Sequence, residues 1–160
     1  MKLWQKIIVT MHIAIVALII FFVWYITSGG EVHLIPKNYT GVVTIIFDSK
    51  NGVPEKYEGR MRVYEIPDNG ILKTQFSFNY KWVLDGFLQF YYVSETGERT
   101  RIPYIDDPKK FPINQTQVFS RSAASGEMNN GPEIVYIVGK YEDADSLFRL
   151  KYGMPPLGVE

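Results

Sequence analysis

An apolar segment near the N-terminus, residues 7–26, constrains this chain more than any other feature. The segment is 20 residues long and contains only two polar side chains, Thr10 and His12. As an α-helix it spans about 30 Å, which is the thickness of the hydrocarbon core of a lipid bilayer. The sequence therefore predicts a transmembrane helix that begins at Ile7 and ends at Ile26, with the lipid bilayer as its partner.

The charges on the two sides of this segment predict its orientation. Lys2 and Lys6 precede the segment, whereas residues 27–31 carry no basic side chain. Basic flanks remain on the cytoplasmic side of a membrane, so residues 1–6 form a cytoplasmic stub and residues 32–160 lie outside. Trp24 and Tyr25 stand at the outer end of the segment, where aromatic side chains favour the membrane interface.

A cleaved signal peptide is the alternative interpretation, with cleavage after Gly30. The apolar region of a signal peptide is typically about 7–15 residues long, so this longer segment favours a signal anchor that is retained in the bilayer. The chain contains no cysteine. It therefore offers no thiol for a lipid anchor, for disulfide bonds or for catalysis.

The composition of the outer part indicates one folded domain that does not bind nucleic acid. Without Lys2 and Lys6, 15 basic residues stand against 17 acidic ones, a net charge of −2. A protein that binds nucleic acid would show a basic surface. The 11 Tyr, 10 Phe and 3 Trp favour β-strands and argue against disorder. Because the linker, residues 27–31, is short, the domain should lie close to the outer leaflet.

The clearest strand signal covers residues 71–82, where side chains alternate between apolar and polar. One parity holds Leu72, Thr74, Phe76, Phe78, Tyr80 and Trp82. An alternation of this kind predicts a strand with one buried and one solvent-exposed face. Further strands are predicted at residues 32–36, 42–47, 60–66, 87–93, 99–103, 116–121 and 133–141.

Turn and cap residues complete the predicted fold. Pro67, Asp68, Asn69 and Gly70 form a strong turn signal. A short helix is expected between a capping Asp143 and a left-handed Gly153. Many strands with tight turns and one late helix predict a mainly β fold, an antiparallel β-sandwich or an open barrel with one short C-terminal helix.

The spacing of several structural residues resembles a known family. The residues that carry the resemblance are Leu34, Ile35, Pro36, Tyr39, Gly41, Asn51, Gly52, Pro54, Arg62, Tyr64, Ile66, Pro67, Gly70, Leu72, Thr74, Phe90, Tyr91, Tyr92, Val93, Gly97, Ile137, Val138, Gly139, Ala144 and Asp145. Over about residues 34–148 the chain is similar to an uncharacterised family of small bacterial extracytoplasmic proteins, many of which are lipoproteins. The resemblance implies a bacterial, envelope-facing domain, but it supplies no catalytic residues. This chain departs from the lipoprotein pattern, because an apolar helix stands where a lipidated cysteine would be.

No motif in the sequence indicates catalysis, a metal site or a cofactor. Glycine-rich phosphate loops are missing, so nucleotide binding has no support. With one histidine outside the membrane segment and no cysteine, a structural zinc site is not expected. The chain is therefore predicted not to be an enzyme. The alternative is an envelope hydrolase that uses carboxylates, with Asp106, Asp107 and Glu133 as candidates.

Aromatic side chains provide the one positive indication of binding. Tyr80 and Trp82 end the alternating segment close to Asp85, and exposed aromatic residues often anchor protein or sugar partners. The simpler alternative is that both rings cap the edge of the core. The sequence predicts a single-pass, membrane-anchored binding domain for an envelope protein or glycan. A third interpretation is a structural subunit of a membrane complex, held through Thr10 and His12.

Overall fold

The structure, a computed structural model, describes residues 2–26, 29–79, 88–105, 114–122 and 132–153. Helix α1, Leu3–Ile26, contains the predicted apolar segment. Of the helices in these ranges, α1 is the one whose length and apolar composition suit a membrane span. Its two polar side chains bond to its own backbone, because Thr10 Oγ1 donates to the Lys6 carbonyl at 2.9 Å and His12 Nδ1 to the Ile8 carbonyl at 2.7 Å.

Within the described ranges, ten strands and a second helix follow α1. The strands are β1 Glu31–Pro36, β2 Gly41–Ile46, β3 Tyr57–Glu58, β4 Met61–Glu65, β5 Ile71–Lys73, β6 Leu88–Val93, β7 Arg99–Ile102, β8 Tyr104–Ile105, β9 Gln117–Ser122 and β10 Glu133–Gly139. A 3-10 helix, Tyr141–Asp143, leads into helix α2, Ala144–Tyr152.

The strands form two five-stranded sheets that pack face to face. Sheet I has the order β3-β4-β1-β6-β7, and sheet II has the order β5-β2-β10-β9-β8. The predicted mainly β fold with a short C-terminal helix is confirmed, and the described strands of neither sheet close into a barrel.

The strand pairing is mixed rather than purely antiparallel. The predicted hairpin β6–β7 is antiparallel. In sheet I, however, β1 pairs in parallel with both β4 and β6. In sheet II, β2 pairs in parallel with β5, and β8 pairs in parallel with β9. The connections β1–β2 and β4–β5 both cross from sheet I to sheet II. Strands that are neighbours in one sheet are therefore often not consecutive in the chain, and this permits parallel pairs.

The segment predicted as the longest strand is shorter than expected, although its alternation holds. Leu72, Thr74 and Phe76 are buried, and the residues between them are exposed. Strand β5 ends at Lys73 because the pairing then changes, with the Asp48 N–H donating to the Phe76 carbonyl at 2.9 Å. The last part of the predicted strand lies outside the described residues.

The main core lies between the sheets. It contains Ile35, Val43, Ile45, Phe47, Tyr64, Ile66, Leu72, Phe76, Phe90, Ile102, Val118, Tyr136 and Val138. A smaller apolar cluster covers the outer face of sheet II, where Leu147 of α2 packs. Gly153 ends α2 in the predicted left-handed conformation, φ 63°, but Asp143 makes no side-chain capping bond because it ends the 3-10 helix.

The sandwich has a proximal end beside α1 and a distal end on the side away from α1. The proximal end is where β1 begins, beside the C-terminus of α1, and β6 starts in register with it, with Glu31 opposite Leu88. The distal end carries the turns at residues 37–40, 67–70 and 94–98, because β1, β4 and β6 all run toward it.

Candidate functional site

The residues predicted to bind a partner, Tyr80, Trp82 and Asp85, lie outside the described residues. The chain on either side of them is described and lies at the proximal end of the sandwich. Asn79 Nδ2 donates to Glu31 Oε1 at 2.9 Å, and Leu88 starts β6 opposite Glu31. Their predicted role stays a prediction.

A buried polar cluster, formed by Glu31, His33 and Tyr136, lies between the sheets at this proximal end. His33 Nδ1 lies 3.1 Å from the Tyr136 hydroxyl, and its Nε2 lies 3.6 Å from Glu31 Oε2. The exposed fractions are 4% for Glu31 and 2% for both His33 and Tyr136. The cluster joins β1 of sheet I to β10 of sheet II.

The alternation of β1 explains why a carboxylate and an imidazole point inward. Glu31 and His33 share their parity with Ile35, which is fully buried in the main core. Aromatic rings surround the imidazole, with Phe90 stacked at 4.5 Å and Tyr64 tilted at 4.9 Å between ring centroids. The surrounding strands therefore hold His33 in one orientation.

The Tyr136 hydroxyl keeps its proton in this cluster, because burial raises its pKa well above the usual range. The hydroxyl lies within hydrogen-bonding distance of His33 Nδ1. Nε2 of the same imidazole faces the Glu31 carboxylate at 3.6 Å, and this contact favours the ionised form of the carboxylate.

The pKa of Glu31 reflects this environment. Burial raises the pKa of the carboxyl, but His33, the Asn79 amide and the Arg62 guanidinium together outweigh burial and lower it below the ordinary 4.5. The three side chains are at most 4% exposed, and their contacts join β1 of sheet I to β10 of sheet II. The sequence alone did not reveal the cluster, although the shared parity of Glu31 and His33 with Ile35 was a usable signal.

A groove opens at the distal end of the sandwich. Its volume is about 670 Å³, within the range of about 300–1,000 Å³ that is typical of ligand sites. The residues that line it come from the distal turns and the strand ends beside them: Pro36, Lys37, Asn38, Asp68, Val93, Ser94, Glu95, Thr96 and Glu98.

Local bonds order the walls of this distal groove. The Lys37 N–H donates to the Val93 carbonyl at 3.0 Å, which ties the first turn to β6. Ser94 Oγ contacts Thr96 Oγ1 at 2.8 Å and accepts from the Glu98 N–H at 3.0 Å. The groove therefore combines a preformed backbone with three acidic side chains, one lysine and two apolar residues, Pro36 and Val93.

Within its described ranges the structure does not bring the three candidate carboxylates together. Asp106 and Asp107 lie outside these ranges, and Glu133 stands at the proximal start of β10. Among the described residues, no three histidine, aspartate or glutamate side chains converge as metal ligands. The prediction that the chain is not an enzyme stays a prediction.

Comparison with known proteins places the sandwich in a family. A sequence model described as "Family of unknown function (DUF6843)" matches residues 27–143. The chain belongs to this family. The matched region contains all ten described strands and excludes both α1 and α2, so the DUF6843 region is the β-sandwich itself.

A solved structure shares the DUF6843 fold of this chain. The crystal structure of a Bacillus anthracis protein described as a candidate lipoprotein is similar with a TM-score of 0.52 and 16% identity, over 84% of each chain. A comparison with curated proteins gives no match. The predicted resemblance to an uncharacterised, lipoprotein-like family is confirmed.

Proposed function

We propose that this DUF6843 protein is a single-pass membrane protein whose β-sandwich binds another component of the bacterial envelope. Helix α1 has the length and composition of a membrane span, and the similar Bacillus anthracis protein is described as a candidate lipoprotein. Both features support association with the envelope. Because this chain has no cysteine to carry a lipid, α1 takes the place of the lipid anchor.

The proposed orientation places the N-terminus in the cytoplasm and the sandwich outside. Lys2 and Lys6 support this orientation through the preference of basic residues for the cytoplasmic side. Trp24, which is 54% exposed near the C-terminal end of α1, suits the outer interface.

The distal groove is the observation that carries the proposed binding role. It opens at the end opposite α1, so an envelope protein or glycan approaches it without meeting the bilayer. Neither Ser94 nor Thr96 in its described lining has a histidine beside it as a base. A preformed groove with charged walls and no histidine in its described lining favours binding over catalysis.

The segment with Tyr80, Trp82 and Asp85 is a second proposed contact surface. We expect Trp82→Ala to weaken partner or glycan binding more than it lowers the melting temperature of the domain. Unfolding as the main effect of the substitution would show instead that the ring belongs to the edge of the core.

Site-specific crosslinking in intact cells tests the binding role. A photoreactive amino acid is placed at Thr96 in the distal groove, at Trp82, and at the exposed Lys73 as a control outside both surfaces. We expect a discrete adduct from Thr96 or Trp82, and none from Lys73. Equal adducts at all three positions, or none at any position, would contradict a specific binding site.

A further inference from the structure

The linker is fastened to the turn between β3 and β4. The Arg62 N–H donates to the Gly30 carbonyl at 3.0 Å, which extends the ladder of sheet I into the linker. Gly29 packs directly on the Arg60 backbone, since a Cβ at Gly29 would lie 1.6 Å from the Arg60 carbonyl oxygen. These contacts hold the Gly59–Arg60 turn beside the C-terminal end of α1.

The Arg60 side chain then reaches α1 itself. Its guanidinium carbon lies 4.5 Å from the centroid of the Trp24 ring, and Nη2 donates to the Trp24 carbonyl at 3.5 Å. A cation over an indole face and beside the C-terminal carbonyls of a helix is stabilised by both. Two side-chain contacts of Arg60, together with the packing of Gly29 on its backbone, therefore place Arg60 at the end of the helix.

In the proposed membrane-spanning orientation, with all of α1 centred on the bilayer, the length of α1 sets the depth expected for Arg60. The 24 residues of α1 span about 36 Å, about 6 Å more than the hydrocarbon core. With the helix centred, Trp24 lies at the outer boundary of the hydrocarbon, and Arg60 stands over its ring. An arginine inside the hydrocarbon is strongly disfavoured, so its guanidinium occupies the layer of the lipid headgroups.

Arg60 also retains donors for a ligand in that layer. A guanidinium has five N–H donors in a planar fork that matches a phosphate, and the contact with the Trp24 carbonyl uses one nitrogen. Within the described ranges Arg60 forms no ion pair with a carboxylate, whereas Arg99 pairs with Glu58 and Arg149 with Asp145.

We propose that the Gly59–Arg60 turn is a membrane-contact surface, where Arg60 binds the phosphate of an outer-leaflet phospholipid while it stacks on Trp24. This inference rests on the proposed function, in which α1 spans the bilayer. The turn thereby seats the proximal end of the sandwich on the headgroups, and the distal groove faces away from them.

Solid-state NMR on the full chain in phospholipid bilayers tests this contact. The six arginines carry ¹³C in the guanidinium carbon, and the buffer contains no phosphate, so lipid is the source of ³¹P. We expect one arginine carbon to show dipolar dephasing by ³¹P at about 4–5 Å, the separation in a charge-assisted guanidinium–phosphate contact. Arg60→Lys removes this signal, and Arg101→Lys, at an exposed position on β7, leaves it unchanged.

A second variant changes the position of the turn without changing the Arg60 side chain. Gly29→Ala keeps Arg60 but pushes the turn away from the linker, so the dephasing should weaken although the guanidinium is present. Dephasing that is missing in the wild-type chain, or that survives Arg60→Lys, would overturn the inference. Protease protection of residues 1–6 tests the span independently, so a spanning α1 without dephasing rejects the lipid contact alone.

Discussion

The turn at Gly70 offers a quantitative test of how the two sheets are connected. Gly70 has φ 72°, and a Cβ at this position would lie 1.9 Å from the Tyr39 hydroxyl oxygen and 2.7 Å from the Val42 carbonyl oxygen. Tyr39 and Val42 are themselves joined by a 2.8 Å hydrogen bond from the hydroxyl to the carbonyl. Gly70→Ala therefore both strains the backbone at residue 70 and displaces the hydrogen bond between Tyr39 and Val42.

Two separate terms set the expected loss of stability for Gly70→Ala. A side chain in the left-handed region costs about 1–2 kcal/mol, and losing the Tyr39 hydrogen bond costs about 0.5–1.5 kcal/mol more. We expect the free energy of unfolding to fall by about 1.5–3.5 kcal/mol. Gly97→Ala is the matched control, because Gly97 has φ 82° with nothing within 4 Å of its Cβ position, so that only the backbone term applies.

Urea denaturation of the full chain in detergent, followed by circular dichroism, measures both variants. The difference between them, about 0.5–1.5 kcal/mol, should come from the contact with Tyr39. Tyr39→Phe in the Gly70→Ala background removes the clashing oxygen, so the two substitutions should be less than additive. Equal destabilisation by Gly70→Ala and Gly97→Ala, with additive effects of Tyr39→Phe, would refute this account.

Two further predictions concern the buried cluster between the sheets. Tyr136→Phe should lower the free energy of unfolding by about 1–3 kcal/mol, because His33 Nδ1 is left buried without its partner. Tyr57→Phe, at an exposed position, is the control. Similar losses of stability in both variants would contradict the role of the cluster. Since the pKa of Glu31 is lower in the folded state than its ordinary 4.5, the ionised carboxylate contributes stability above pH 4.5, and this contribution is lost as the pH falls through the lower, folded pKa. Glu31→Gln should therefore flatten the acid side of the stability profile, measured as melting temperature against pH, and an unchanged slope would show that other carboxylates dominate.

Local patterns were sufficient for the elements that depend on neighbours in the chain. The length of an apolar segment predicts α1, and turn chemistry predicts the left-handed Gly70 and Gly153, because these conformations depend on a few consecutive residues. The alternation through Leu72 to Phe76 also predicts the buried face correctly. It does not predict where β5 ends, since that depends on which backbone groups lie opposite.

The features that support the proposed functions could be identified only from the tertiary structure. In the sequence, His33 is a single histidine beside apolar residues. Only the packing of β10 against β1 brings the Tyr136 hydroxyl close to His33 Nδ1. The distal groove joins turns that are far apart in the chain, and Arg60 meets Trp24 across 36 positions. The sequence by itself determined the membrane segment, the strand-rich composition and the principal turns, because their physics is local. The parallel pairing, the buried cluster, the groove and the helix–domain joint were decided by the crossing of strands between two sheets, which no short stretch of sequence encodes.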